Sequence, residues 1–164
     1  MVQQLGSIIG DEHPSVATSY NYIGSIWDSK GEYDKALGFY QKCLDIRLKT
    51  LGDEHPSVAT SFFAIGSCNE NLEAFDLAID AYKMGYKVQK KGGSPFQIAH
   101  CYEKLNNLQE AYNYYLQSAE IRNSDPDCGP KNENTIDSIQ NAVRIANLIG
   151  REIELPDWIK NHGK

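Results

Sequence analysis

Two identical Asp-Glu-His triplets are the residues of this chain that best suit metal chemistry. They occupy positions 11–13 and 53–55, and a proline follows each of them. Carboxylates and imidazoles are common ligands for zinc, so the triplets could bind a metal. Another role suits their position better, because acidic residues favour a helix N-terminus and proline suits the first helical turn. We therefore expect no metal and no cofactor.

The cysteines and the isolated histidine do not form a catalytic arrangement. The four cysteines, Cys43, Cys68, Cys101 and Cys128, are widely spaced without a Cys-x-x-Cys pair. This favours core thiols in a reducing compartment over a disulfide framework or a zinc site. His100 is interpreted as a hydrogen-bonding contact rather than a general base. Since the sequence also lacks His-Glu-x-x-His, Gly-rich phosphate-loop and Gly-x-Ser-x-Gly motifs, we expect no catalytic residues and no enzymatic activity.

Composition and charge are those of a folded protein that acts on neither membranes nor nucleic acids. The 164 residues are 41% hydrophobic and 23% charged, with a formal net charge of −6. A negative balance disfavours binding to phosphate backbones. No apolar run approaches the roughly 20 residues that cross a bilayer, and the first ten residues lack the features of a signal peptide. The expected location is the cytoplasm.

The triplets belong to a longer internal repeat. Residues 10–19 recur identically at 52–61, and an ungapped alignment of 10–51 with 52–93 matches 17 of 42 positions. Self-similarity at a period of about 20 to 50 residues is typical of solenoids. Because each unit of a solenoid buries its apolar face by stacking on its neighbours, the repeat favours a binding surface over a catalytic pocket.

Each repeat is predicted to form two helices. Val16, Tyr20, Ile23 and Trp27 recur at intervals of four, three and four residues, which places them in one stripe on an α-helix. Gly31 interrupts the pattern, and a second apolar stripe runs from residue 33 to residue 48. Two such helices joined by a tight turn form an αα-hairpin.

This pattern divides the chain into seven segments. They are residues 1–9, a remnant of a preceding repeat's second helix; 10–51, 52–93 and 94–123, three repeats; 124–133, a loop; 134–149, a capping helix; and 150–164, a tail. Residues 1–9 align with the end of the first repeat's second helix, so we interpret the chain as a piece of a longer array. Trp158 is expected to cover the last helix as a cap. The alternative is that the tail occupies the groove as a competitor.

Small and aromatic residues recur at fixed distances within each predicted pair. The three sets are Gly24, Ala36 and Tyr40; Gly66, Ala78 and Tyr82; and Ala99, Ala111 and Tyr115. This spacing resembles the tetratricopeptide repeat, whose base length is about 34 residues. The 42-residue variant with its Gly-Asp-Glu-His-Pro linker is similar to the repeats of kinesin light chains and related scaffold proteins. The resemblance implies an all-α, right-handed superhelical solenoid of antiparallel helix pairs with a C-terminal capping helix.

The resemblance also implies a concave groove lined by the first helix of each pair. By helical spacing from the small residues, the groove side chains are Asn21, Ser25, Asp28, Phe63, Ser67, Glu70, Phe96, His100 and Glu103. Gln140, Arg144 and Asn147 extend this lining if the last helix continues the array. Phe63 and Phe96 are either exposed anchors for a ligand or rings buried by helix packing.

The expected ligand is a protein or peptide, preferably neutral or basic with apolar anchors. Asp28, Glu70 and Glu103 line one wall of the groove and would attract cations. Arg144, the one predicted groove cation, could accept a single acidic side chain. Chaperone-tail binding is disfavoured, since the corresponding positions carry no Lys or Arg to bind a terminal carboxylate. They are Asn21, Ser25, Ala64, Gly93 and Gln97.

The leading functional hypothesis is therefore a protein-interaction scaffold or adaptor that holds its ligand in this groove. The alternative is a regulatory sensor segment of a larger signalling ATPase or protease that packs on its own chain. A third hypothesis is end-to-end self-association of incomplete repeats.

Overall fold

The computed structural model describes residues 13–89, 94–125, 129 and 132–150. Within these ranges the regular elements are seven α-helices and no strand, which confirms the all-α repeat class. They are α1 (Pro14–Ser29), α2 (Tyr33–Leu51), α3 (Pro56–Asn71), α4 (Phe75–Val88), α5 (Ser94–Lys104), α6 (Leu108–Ser124) and α7 (Glu133–Leu148). The chain forms two compact units, Met1–Lys90 with α1 to α4 and Lys91–Lys164 with α5 to α7.

Several expectations concern residues outside the described ranges: the helix remnant at 1–9, Asp11 and Glu12 of the first triplet, Gly93, Cys128, and the tail with Trp158. Among the described helices, none is long and apolar enough to cross a membrane.

Histidine side chains cap the two helices that follow the triplets. The Nδ1 atom of His13 accepts a hydrogen bond from the backbone N–H of Ser15 at 3.2 Å, and that of His55 from Ser57 at 3.1 Å. Proline occupies the first turn of each helix. The first N–H groups of a helix have no partner inside it, so a side-chain acceptor stabilises this end. Each triplet thus ends in a helix cap, a role that the sequence analysis had assigned to acidic residues and proline alone.

The turn inside each helix pair requires a left-handed backbone residue. Gly31 has a φ of 75° between α1 and α2, and the corresponding residues Glu73 and Asn106 have φ values of 59° and 57°. Glycine adopts this region freely, whereas a residue with a Cβ is strained there. In the first unit, the turn at Glu73 therefore holds a residue with a Cβ in a strained, left-handed backbone conformation.

Small residues let the two helices of a pair approach closely. A Cβ atom at Gly24 would lie 2.8 Å from the Tyr40 ring, and one at Gly66 would lie 2.6 Å from the Tyr82 ring. Ala36, Ala78 and Ala111 are likewise 0% exposed, as the spacing predicted. The repeated small residues therefore serve helix packing: a larger side chain would collide with a tyrosine ring at Gly24 or Gly66 and would overpack a buried site at the alanines.

An arginine fastens α2 to the helix that follows it. The guanidinium of Arg47 donates to the carbonyl of Ser57 at 2.9 Å and to the hydroxyl of Ser61 at 2.8 Å. One turn earlier, the buried thiol of Cys43 lies 3.7 Å from the same hydroxyl. These contacts fix the first two turns of α3 against the second half of α2.

The same arrangement fastens α6 to α7 in the second unit. Arg122 donates to the carbonyl of Asn134 and, at 3.2 Å, to the hydroxyl of Ser138. Ser118, one turn before the arginine, lies 3.1 Å from Ser138. The last helix therefore packs on its predecessor in the manner of a repeat's first helix, and it begins and ends one residue before the predicted range.

Candidate functional site

Each of the three complete helix pairs joins a carboxylate of its first helix to a tyrosine of its second helix. The tyrosine stands twelve residues after the carboxylate, its ring is buried, and its hydroxyl donates to a carboxylate oxygen. The pairs are Tyr40 and Asp28 at 3.5 Å, Tyr82 and Glu70 at 2.7 Å, and Tyr115 and Glu103 at 3.1 Å. The three predicted groove carboxylates therefore occupy equivalent positions, each where a core tyrosine reaches the surface.

The tyrosine hydroxyls are held as donors. Burial, reinforced by the negative charge of Asp28, raises the pKa of Tyr40 to about 12. Burial and then Glu103 raise the pKa of Tyr115 even further. Both phenols consequently stay protonated at neutral pH, and each fixes the orientation of its carboxylate.

In the second unit this carboxylate carries a further partner. Arg144 on α7 donates to Glu103 at 2.7 Å, and it also donates to the side-chain oxygen of Asn141 at 3.0 Å. The guanidinium hydrogen bond lowers the pKa of Glu103, and Glu103 in turn raises the pKa of Arg144. The cation predicted to accept an acidic ligand is thus already paired with another predicted groove residue.

The two predicted aromatic anchors are partly buried within their helix pairs. The ring of Phe63 lies against Gly85 of α4, where an added Cβ would overlap it. Phe96 meets Tyr115 edge-on at 5.3 Å between centroids, and the guanidinium of Arg122 lies 5.4 Å from its centre. Both rings thus contribute to packing between helices, and their role as ligand anchors stays a prediction.

The other predicted groove residues are polar and differ in exposure. Ser25, Gln140 and Asn147 are exposed, while Asn21, Ser67 and His100 are partly buried. The hydroxyl of Ser25 donates to the carbonyl of Tyr22 at 2.8 Å, so it forms no bond to a neighbouring helix through that proton. These side chains give the first-helix face hydrogen-bonding capacity next to its carboxylates.

Two exposed apolar residues on α1 escaped the sequence reasoning. Tyr22 is 66% exposed and Ile26 is 52% exposed. Their counterparts in α3, Ala64 and Cys68, pack against α2, and Cys68 is 0% exposed. The alignment of the repeats contained this signal, because it places Tyr22 and Ile26 of the first repeat opposite the smaller Ala64 and Cys68 of the second repeat.

A separate pocket of about 240 Å³ lies in the first unit, between the end of α2, the following linker and α4. Its lining mixes apolar and charged side chains, and it shares no residue with the predicted groove. The lining residues are Leu48, Asp53, Glu54, Phe62, Met84, Lys87 and Val88. Among the described residues, no group of three or more His, Cys, Asp or Glu side chains could hold a metal ion.

Two family descriptions match the sequence, and both are of the tetratricopeptide repeat. One covers residues 15–91 and the other covers 96–125, so together they span more than half of the chain. The chain belongs to the tetratricopeptide repeat family. None of the curated protein sequences matches it.

Similar solved structures share the fold at low sequence identity. One holds the nearly identical TPR-like repeats of a protein named as a kinesin light chain from Podosopora anserina, with a TM-score of 0.75, 20% identity and coverage of 91% of this chain and 74% of that one. Another is PcrH, from Pseudomonas aeruginosa, with the chaperone-binding region of PopD. Its TM-score is 0.69 at 16% identity, and the match covers 84% of this chain and 96% of that one. A third is the Yersinia enterocolitica type III secretion chaperone SycD with a peptide of the translocator YopD. Its TM-score is 0.66 at 20% identity, and the match covers 80% of this chain and 93% of that one.

Proposed function

We propose that this chain is a protein-interaction module that binds a peptide, or a segment of a partner protein, along its first helices. The observation that carries the proposal is the repeated tyrosine–carboxylate pair. It presents an oriented acceptor at the same position of every complete helix pair, beside polar side chains that the core does not use. Regularly placed acceptors suit an extended or helical ligand, whose own groups also recur at regular intervals.

The packing of the repeats leaves this face available for specificity. Stacking depends on the buried alanines and tyrosines and on Arg47 and Arg122, none of which belongs to the predicted groove. Of the predicted groove residues, the two phenylalanines also take part in packing. Of two structures with the same fold, PcrH holds the chaperone-binding region of PopD and SycD holds a peptide of the translocator YopD. That likeness supports a peptide or protein ligand for this chain as well.

The chemistry of the face favours a neutral or basic ligand with apolar side chains. Asp28, Glu70 and Glu103 contribute three carboxylates, and the chain carries a formal net charge of −6. Such a surface attracts cationic ligands and repels acidic ones. Arg144 and Glu103 form an ion pair that offsets both charges, so the preference rests on Asp28 and Glu70 and on the net charge of the chain.

The test is a selection of displayed random peptides against the folded chain, followed by affinity measurements on a pair of blocking variants. Ser25→Trp places a bulky ring on the exposed first-helix face, and Gln41→Trp does the same on the exposed face of α2. We expect Ser25→Trp to weaken the selected peptides about tenfold or more, and Gln41→Trp to change affinity less than about twofold. Equal effects of the two variants, or no enriched peptide, would contradict the proposal.

The exposed pair Tyr22 and Ile26 favours a second candidate, in which α1 packs against a helix of the parent polypeptide. In the first unit, Cys68 is covered by Ala36 and Tyr40 of α2. A helix with the same Ala-x-x-x-Tyr spacing would cover Ile26 in this way. A synthetic peptide of residues 33–51 should then bind the chain and lose affinity for Ile26→Asp, whereas equal binding to both proteins would exclude this surface.

A further inference from the structure

We propose that Asp28 binds an arginine side chain of the ligand, at the position that Arg144 of the chain itself occupies in the second unit. This inference rests on the proposed function and names the chemistry of the ligand. It follows from comparing two junctions that pack alike, α2 with α3 and α6 with α7.

The two junctions match contact by contact. Both have the tyrosine–carboxylate pair, an arginine bonded to the following helix, and a hydroxyl that receives this bond. Both also bury a small residue, the tyrosine and, at the same register position, a residue of the following helix. These sets are Ala36, Tyr40 and Cys68 in the first unit and Ala111, Tyr115 and Ile145 in the second.

The shared register assigns a counterpart to Arg144. Ser138 receives the arginine bond in the second unit, and Arg144 stands six residues after it. Ser61 receives that bond in the first unit, and the residue six places later is Ser67. Counting in the same way, Asn141, which also accepts from Arg144, corresponds to Ala64. Two small side chains therefore stand in the first unit where the second has an arginine and its amide partner.

The carboxylate at this position can accept a hydrogen bond from a guanidinium in addition to the one from the tyrosine. Glu103 accepts from Tyr115 at 3.1 Å and from Arg144 at 2.7 Å, whereas the Tyr40 hydroxyl lies 3.5 Å from Asp28. A carboxylate has room for several donors and pairs with the fork of arginine through charge-assisted bonds. Asp28 is partly buried, so such a bond would be screened by water less than one on a fully exposed surface.

The experiment starts from the random-peptide selection described above. We expect arginine to be enriched in the selected pool, and the tightest arginine-containing peptide is then synthesised with arginine and with uncharged citrulline at that position. On the wild-type chain the citrulline peptide should bind about tenfold more weakly, as expected for one charge-assisted bond. On Asp28→Asn the arginine peptide should lose a similar factor, and the difference between the two peptides should fall below about twofold.

A second variant tests the same site without removing its carboxylate. Ser67→Arg supplies a guanidinium from the following helix, as Arg144 does, and should also weaken the arginine peptide about tenfold. Asp45→Asn, an exposed carboxylate on α2, is the matched control and should leave the citrulline effect intact. Circular dichroism melts of each variant establish that it is folded.

The outcomes separate this inference from the proposed function. If peptides are enriched without arginine, or if the citrulline effect survives in Asp28→Asn, the inference is wrong while the proposed function stands. If no peptide is enriched, the proposed function fails. A citrulline effect that Asp28→Asn abolishes and Asp45→Asn preserves supports both.

Discussion

The junction of α2 with α3 and that of α6 with α7 differ in one groove position while sharing their stacking contacts. In each, an arginine near the end of the second helix bonds to the first turns of the next helix, and a tyrosine bonds to a first-helix carboxylate. At the shared position facing that carboxylate, the first unit has Ser67 and the second has Arg144. The second carboxylate is therefore paired with an arginine of the same chain, whereas among the described residues the only donor to the first carboxylate is the Tyr40 hydroxyl.

This difference shows which residues the repeat architecture constrains. Stacking contacts recur because a change in any of them disturbs two helices at once. Exposed side chains on the first-helix face, such as Ser25, bond within their own helix, so such positions can vary between repeats without loss of the fold. Variation at such positions is how a repeat family obtains different ligand preferences from one backbone.

The largest effect should come from overpacking the equivalent alanines. Ala78→Leu and Ala111→Leu each insert a larger side chain at a site that is 0% exposed, and each should lower the free energy of unfolding by about 1–3 kcal/mol. Leu77→Ala is the control on the same helix as Ala78, since Leu77 is 60% exposed, and should stay within about 0.5 kcal/mol. Urea denaturation measures all three. A midpoint unchanged by either leucine substitution would refute the repeat register.

The arginines that fasten successive helices should have the next largest effect. Arg47→Ala and Arg122→Ala each remove bonds to a backbone carbonyl and a serine hydroxyl, at an expected cost of about 1–2 kcal/mol. Lys35→Ala removes an exposed ion pair with Glu32 and a contact of the ammonium with the Trp27 ring at 4.5 Å, and should cost no more than about 1 kcal/mol. If only one of the two arginine substitutions lowers the free energy of unfolding, the two junctions do not contribute equally to stability.

The turn residues offer a smaller effect of opposite sign. Glu73→Gly should raise the free energy of unfolding by about 0.5–1 kcal/mol, because it removes left-handed strain at a φ of 59° and partly replaces it with the entropic cost of glycine. Gly31→Ala should destabilise by a similar amount for the converse reason. Thermal denaturation of both variants tests the pair, and a destabilised Glu73→Gly would show that the glutamate side chain contributes more than its backbone costs.

The smallest effect should be pH-dependent and confined to the second unit. The pKa of Glu103 is lowered in the folded state, so its contribution is present above the unfolded pKa of about 4.3 and is lost as the pH falls through the lower folded value. Arg144 is 46% exposed, which limits the pair to about 0.5–1 kcal/mol. Arg144→Ser should therefore destabilise the chain at pH 7 and match the wild type near pH 2. A difference that persists at pH 2 would have another cause.

Periodicity predicted the helices and their close contacts because both follow from local spacing. The stripe from Val16 to Trp27 and the recurrence of Ala36 and Tyr40 need no knowledge of distant residues. The pairing of Arg144 with Glu103 joins side chains 41 positions apart, so it depends on how one repeat stacks on the next, which spacing within a helix does not specify.

Two other features lay beyond the sequence rules for different reasons. The contact of the Phe63 ring with Gly85 joins two different helices, so spacing within α3 left both predicted alternatives for Phe63 open. The caps at His13 and His55 were missed because histidine is not among the residues usually favoured at that position.

The most direct test of the account is the crystal structure of the Ser67→Arg variant. If the two junctions share one geometry and differ at this groove position, the introduced guanidinium should bond to Asp28 at a distance close to the 2.7 Å between Arg144 and Glu103, with the Tyr40 hydroxyl still directed at the same carboxylate. A guanidinium that points into solvent, with Asp28 beyond about 4 Å of its nitrogens, would contradict the equivalence on which the account rests.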